Sequence, residues 1–474
     1  MTNPSATSVE DHPPTGPSPT AAASDPAVPD AEAPDVFSPV AAPDGAVPSS
    51  LLRNRSYMLL MTGMTAESLG AGVALFAVPL VAYGITGSVV QAGVVAAVGQ
   101  LGALLATLPA GVVADRVDRR RLITVAASVG AALWATVALA AGLGSLTAWH
   151  LAAVLFGASV VGALVDPATS GAFRSVVPVP QLPTALAAVQ GRDAVASLLA
   201  GPLGGVLYAV AHAVPLAGAA VGHLATAVCT WFVREPLNGD VAAARATRPA
   251  EALREGLRFV WSVPLFRALL GLFVVINVAF GGLMVGINLE LVRTGTAPVL
   301  IGLVDLAVGV GVLAGAVLAP RLVARVRAGT LVVAALATLA AGAAAMAALH
   351  TYVGYVVLLP PALLLVPAAN ACLSGYAAAI TPAQLQGRLS SVLGLTGLAA
   401  GPLVPLVGSG LLDRFGLGTA LVALAGLLVV TVAVLSTVRS LWQVGTPDTW
   451  AGDAAALAAS GVVPEEPGPV GTGR

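Results

Sequence analysis

Long apolar stretches alternate with short charged clusters along most of this chain. Residues 68–114 hold no Asp, Glu, Lys or Arg, and neither do 122–165, 194–233, 268–289, 328–387, 389–412 and 415–438. A helix needs about 20 apolar residues to cross the hydrocarbon core of a bilayer. Several stretches are long enough for two such helices, joined through Gly, Pro, Ser or His. The pattern predicts an all-α membrane protein of twelve transmembrane helices, at 57–83, 88–112, 122–142, 148–172, 185–210, 214–233, 266–290, 297–320, 329–349, 353–378, 387–411 and 417–438.

Basic residues orient these spans. All 22 are Arg. With the N-terminus inside, seventeen fall in cytoplasmic segments and two, Arg293 and Arg414, in external loops. Arg192, Arg267 and Arg388 lie within or at the ends of spans. Such an excess of Arg on one side marks the cytoplasmic face, so a multi-pass protein of the cell membrane with both termini cytoplasmic is expected. The chain divides into a disordered tail (1–52), a six-helix bundle (53–233), a cytoplasmic linker (234–265), a second six-helix bundle (266–438) and a second disordered tail (439–474). In the linker, Glu251, Leu253, Arg254, Leu257, Arg258, Val260 and Trp261 form a stripe at helical spacing, suited to an amphipathic helix on the inner membrane surface. The first 50 residues are rich in Pro, Ala and Ser and lack Arg, unlike a signal peptide with its basic start and apolar centre. The external loops are too short for a receptor domain.

Composition narrows the function. The chain is 57% hydrophobic and 9% charged, with mean hydropathy +0.91, where soluble chains run near 25% charged. It has no Lys, which excludes a Walker phosphate loop and Schiff-base chemistry. Uphill work would therefore draw on an ion gradient or a separate subunit. Cys229 and Cys372 sit in apolar runs and read as small core residues. Five scattered His and two Cys make no metal cluster. No nucleophile–base pair or cofactor motif supports an enzyme, and no cofactor is expected. The Arg residues, spread along one membrane face, do not suit nucleic acid.

The two halves echo each other. Gly201-Pro202-Leu203 recurs as Gly401-Pro402-Leu403, and Gln190-Gly191-Arg192 as Gln386-Gly387-Arg388. Gly111 and the Arg cluster after span two are echoed by Gly315 with Arg321, Arg325 and Arg327. Two repeats about an axis along the membrane normal are a transporter architecture, with the substrate site between the halves near the midplane.

The sharpest motif is Gly111-Val-Val-Ala-Asp115-Arg116-Val-Asp118-Arg119-Arg120-Arg121, between spans two and three. Gly111 permits close helix approach, and Asp115 at a helix end could pair with Arg or face another helix N-terminus. Such a latch would hold the cytoplasmic side closed in one state. The motif resembles the signature loop of the major facilitator superfamily, with Asp118 where that pattern has Gly. Asp166-Pro167-Ala168, Gln386-Gly387-Arg388-Leu389-Ser390-Ser391 and Leu411-Leu412-Asp413-Arg414-Phe415-Gly416 are similar to the enterobactin-exporter and macrolide-efflux branch. The resemblance covers roughly residues 55–438 and implies a twelve-helix fold alternating between inward-open and outward-open states. Ala200-Gly201-Pro202-Leu203-Gly204-Gly205 resembles the Gly-Pro-x-x-Gly-Gly exporter motif of the superfamily. Its Pro removes a backbone hydrogen bond, and its Gly residues allow a partner helix to pack close and pivot. Leu155 stands in the part of span four where many drug/proton antiporters carry Arg.

Charges inside spans are costly and usually functional. Glu67, about 15 Å into span one, is the first candidate for proton coupling; the alternative is a structural pair with Arg192. In similar sequences Ser and Asp stand where this chain has Glu67 and Ala71. Asp305 in span eight is the second candidate. Asp166 and the Arg192–Asp193 pair form a candidate gate network near the cytoplasmic end. Gln100, His223, Asn277 and Asn370 are mid-span polar groups, candidates for a cavity with few charges and much apolar lining. The reading is a secondary active transporter exporting a hydrophobic or amphiphilic small molecule against protons, embedded in the bilayer as a monomer. The alternatives are a proton-coupled importer on the same fold and a non-transporting membrane sensor or scaffold.

Overall fold

A computed structural model of the chain describes residues 50–238, 254, 258, 260–381, 386, 389, 392, 394 and 397–459. Every regular element among them is helical. The long helices are α1 Arg55–Thr86, α2 Val89–Arg116, α3 Arg119–Gly142, α4 Ala148–Val176, α5 Leu182–Val210, α6 Ala213–Trp231, α7 Pro264–Arg293, α8 Pro298–Arg325 and α9 Ala328–Leu349. They are followed by α10 Tyr352–Leu363, α11 Val366–Ile380 and α12 Leu403–Thr437. Polar side chains start several of them: Asn54, Ser88, Asp118 and Thr147 each accept a first-turn backbone N–H, satisfying donors a helix leaves free. Gly87, with φ of 63°, stops α1 in the left-handed conformation glycine tolerates.

Eleven of the described helical segments are long and apolar enough to cross a membrane. The last, Gly397–Thr437, has 41 residues, about 60 Å of helix against a hydrocarbon core of about 30 Å. It breaks at Gly416, whose φ of 73° and ψ of 167° are not helical. It therefore supplies parts of two spans, which gives the twelve expected. The tenth span is not one straight helix. Pro360 and Pro361 lie near the end of α10, and Leu364–Leu365 separates it from α11. Outward-facing Leu139, Val221 and Val357 are all more than half exposed, and a soluble protein rarely leaves so many such groups in contact with water. Trp149, Trp231 and Trp261, also exposed, lie near helix ends, the level of the membrane interface.

In the first half α1 packs on α6, α2 on α4 and α3 on α6. In the second, α7 and α9 pack on α12, and α8 and α9 on α10. The halves meet through α5 on α8 and α2 on α12. Exchanging the halves turns one of these pairings into the other (span five for eleven, eight for two), the relation a repeated architecture requires. The most extensive helix contact is between α1 and α6. A Cβ on Gly70 would lie 2.4 Å from the Gly218 carbonyl oxygen, and one on Gly222 would lie 2.5 Å from that of Ala66. Backbone cannot move aside as a side-chain end can, so Gly70→Val must push α6 away from α1. We expect it to cost about 3 kcal/mol, read as a lowered unfolding temperature of the purified protein.

The expected C-terminal tail is corrected over its first part. Residues 439–459 form helices α13 Arg439–Gln443 and α14 Trp450–Ala459, seated on the second half. Leu441 and Val444 are fully buried, and Trp450 meets Tyr376 edge-on at 5.9 Å. Few apolar groups in a Gly- and Ala-rich stretch conceal this at the level of composition; all three find partners only in the fold. Of the N-terminal tail only residues 50–52 are described, within a short 3-10 turn, Leu51–Arg53, and its approach. Glu251, Leu253 and Leu257 of the linker stripe, and all of 239–253, lie outside the described residues.

Candidate functional site

Two cavities meet in the middle of the bundle. The larger, about 760 Å³, lies between the halves, walled by α1, α5, α7 and α8. Leu75, Phe76, Ile301, Val312 and Leu313 give it an apolar surface, and Asn288 and Asp305 contribute its main polar groups. The smaller, about 510 Å³, lies within the first half between α1, α4, α5 and α6. It carries Glu67, Asp166, Arg192, Asp193 and His223. Leu75 lines both, so one side chain separates an apolar chamber from a charged one.

Glu67 does not pair with Arg192. The Thr226 hydroxyl donates to Glu67 Oε2 at 2.6 Å, and His223 Nδ1 lies 3.1 Å from Oε1. Both partners come from α6, which the glycine contacts hold against α1. Arg192 instead pairs with its neighbour Asp193, Nη2 to Oδ1 at 2.5 Å. Among the described residues Asp166 makes no side-chain hydrogen bond or ion pair and faces the same cavity. The expected group of Asp166, Arg192 and Asp193 thus comes together, joined by Glu67 and His223. Asp305, on α8, lines the apolar cavity instead and accepts from Asn288 Nδ2 at 3.3 Å. Gln100, Asn277 and Asn370 are not among the residues lining either cavity. Gln100 packs at the junction of the halves beside Gly401, and the Asn277 amide donates to the Phe273 carbonyl.

The Gly201-Pro202-Leu203-Gly204-Gly205 segment forms the contact between halves. A Cβ on Gly201 would sit 2.8 Å from Asp305 Cβ and from the Gly302 carbonyl oxygen, and one on Gly205 would sit 2.5 Å from the Pro298 carbonyl oxygen. Gly204 faces Phe76 of α1, and α5 runs through Pro202 unbroken. On the other side of the junction Gly93 abuts Ser409 and Pro405. These contacts close the cavity at the end bearing the start of α8. From there it extends to Gly191 and Ala316, toward the end bearing the Arg clusters.

At that Arg-bearing end the signature loop grips the segment leaving α6. Asp118 caps α3 by accepting from Arg121 N–H and also accepts from Asn238 Nδ2 at 3.1 Å. Arg119 donates from its backbone to Asn238 Oδ1 at 2.8 Å and from Nη1 to the Leu237 carbonyl at 3.2 Å. Arg120 Nη2 donates to the Glu235 carbonyl at 2.8 Å, Ser175 to that of Leu237, and Ser56 to the Glu235 carboxylate. The expected latch was centred on Asp115; the grip among the described contacts is made by Asp118, Arg119 and Arg120. Gly111 and Asp115 lie on the last turns of α2, their surroundings outside the described set, and Arg116 ends that helix exposed. Arg388 lies outside the described residues. Sequence reasoning missed Ser56, Glu235 and Asn238, which are ordinary polar residues until the fold brings them to the loop.

Burial pushes Glu235 upward, but the Ser56 hydroxyl, two backbone N–H groups and the charge of Arg120 outweigh it and hold its carboxyl below the ordinary value. A carboxylate held low in the folded state stabilises it above the unfolded value, about 4.3 for Glu, and loses that contribution as pH falls through the folded value. Glu235→Gln should therefore lower stability at neutrality and flatten the further loss below about pH 4.3. Asn238→Ala removes one donor and one acceptor from the grip. It should lower stability by about 1–2 kcal/mol, measured by thermal unfolding in detergent.

Two six-helix halves closing at one end around a central cavity define a polytopic membrane transporter. Residues 60–405 match the Major Facilitator Superfamily, and the chain belongs to that family. The multidrug efflux pump Tap of Mycolicibacterium fortuitum is 28% identical over 402 residues, covering 78% of this chain and 91% of that one. Among solved structures, the nucleoside transporter NupG superposes with a TM-score of 0.60 at 14% identity, covering 81% of this chain and 99% of that one. A bacterial homologue of the lysosomal transporter Spinster, inward-facing and unoccupied, superposes with a TM-score of 0.59 at 15% identity, covering 86% and 98%.

Proposed function

We propose that this chain exports hydrophobic or amphiphilic small molecules in exchange for protons, by alternating access. The observation that carries the reading is the junction at Leu75, where a large apolar cavity between the halves adjoins a charged cavity holding Glu67. The first suits a lipophilic body. The second holds an intramembrane carboxylate, a group that seldom persists there without a function. The similarity to a multidrug efflux pump favours export. With both termini cytoplasmic, the Gly205–Pro298 contact is the external seal and the cavity opens to the cytoplasm, where an exporter collects its cargo. Glu67 belongs to the proton-coupling site, and Asp305 is the second candidate. The Arg119–Asn238 grip, made within the first half, anchors the start of the linker on the cytoplasmic side. The protein works as a monomer in the cell membrane.

The test uses purified protein in proteoliposomes under an imposed pH gradient, with internal pH and a panel of lipophilic dyes and antibiotics followed together. Proton movement opposite to substrate flow is expected. Flux in the same direction would make the protein a symporter, and no flux across the panel would remove the drug-type substrate.

A further inference from the structure

We propose that His223 carries the transported proton, with Glu67 as the residue that positions its ring. This rests on the proton-coupled reading above and assigns the proton to a different atom. His223 is 4% exposed. Its Nδ1 lies 3.1 Å from Glu67 Oε1, outside hydrogen-bond angles, and has no other polar partner. A ring lone pair facing a carboxylate at that distance would be repelled. Nδ1 therefore carries a proton when Glu67 is ionised. Nε2 is then the free basic position of the ring.

Charged groups surround the ring. The charged groups facing the ring across the cavity are Glu67 from α1, Asp166 from α4, and Arg192 and Asp193 from α5. That is three carboxylates against one guanidinium, and Arg192 is already paired with Asp193. From α3 the ring meets the Gly130 backbone, and Trp134 lines the same cavity without a charge. An imidazole ring can take up and release a proton with no other change in its bonds. Thr226 holds Glu67 from the other side, so the carboxylate stays aimed at the ring whether or not Nε2 is loaded. The proton enters and leaves at Nε2, and no bond other than N–H changes.

Two measurements on the full-length protein test this. The first is NMR of 15N-histidine-labelled protein in detergent, the five His signals being assigned for position 223 with His223→Gln. We expect the neutral ring to carry its proton on Nδ1 and to gain a second on Nε2 as pH falls. In Glu67→Gln the Nδ1 preference should be lost. A neutral ring protonated on Nε2, or a signal indifferent to Glu67→Gln, overturns the proposal. The second follows protons released per ethidium moved in proteoliposomes. In His223→Gln, and in His223→Asn as a check on folding, that ratio should fall to under a tenth of wild type. A wild-type ratio in both variants overturns the carrier role. Wild-type protein that moves no ethidium against a proton flux counts against the transport reading alone, and the NMR measurement still decides the Glu67–His223 pair.

Discussion

Glu67→Gln is expected to abolish proton-driven accumulation while leaving the protein folded. The substitution is nearly isosteric, and an amide oxygen still accepts the Thr226 hydroxyl that holds the carboxylate. The α1–α6 contact that carries the pair is built from glycines and backbone and does not use the carboxylate. What is lost is the charge. One proton returning across 100 mV releases about 2.3 kcal/mol, enough at about 1.4 kcal/mol per tenfold to sustain roughly forty-fold accumulation of a neutral substrate. That gradient should collapse to unity in the variant, while its unfolding temperature stays near wild type. Wild-type accumulation in Glu67→Gln would remove this residue from coupling. Collapse together with a large drop in unfolding temperature would make it a structural buttress of α1 and α6.

Gly205→Val should have an effect of similar size for a different reason. The new Cβ would fall 2.5 Å from the Pro298 carbonyl oxygen and 2.9 Å from its carbon. Both are backbone, so relief requires α5 and α8 to part. This pairing joins the halves, and each half keeps its own internal contacts, so the protein should still fold. The state closed at this end should become inaccessible, and transport should fall at least tenfold, the cost of about 1.4 kcal/mol against that state. Leu80, 4% exposed and near the closed end of the cavity, offers a reporter. A Cys at this position, in a chain with Cys229 and Cys372 replaced, should react with a membrane-impermeant thiol reagent from the sealed side only when Gly205→Val is present. Gly426→Ala, where a Cβ meets nothing within 4 Å, is the control. Wild-type transport in Gly205→Val would mean that the seal is not made here.

Other parts of the site could be read before any coordinates. Glu67, Asp166, Arg192 and Asp193 stand out in sequence because a charge in an apolar run needs a reason, and the structure gathers all four in one cavity. Asn277, Gln100 and Asn370 looked equally suited to a cavity, yet none lines the two found. A mid-span amide can be satisfied by its own helix, as Asn277 is by Phe273, and nothing in the pattern tells the two fates apart. A carboxylate has no such local remedy, which is why charge was the better guide.

The amino-acid sequence by itself determined the class of the protein: the number of spans, the two repeats and the signature loop. Each is a one-dimensional property, set by the length of apolar runs and by the position of charges between them. Tertiary structure alone decided the partners. It paired Glu67 with His223, 156 residues away, and not with Arg192. It turned Gly201 and Gly205 toward the other half, broke the tenth span behind Pro360 and Pro361, and seated Trp450 on Tyr376. These contacts depend on how helices rotate and how closely their backbones approach. Packing of small residues sets both, and a hydrophobic period that runs all the way round a buried helix does not encode it.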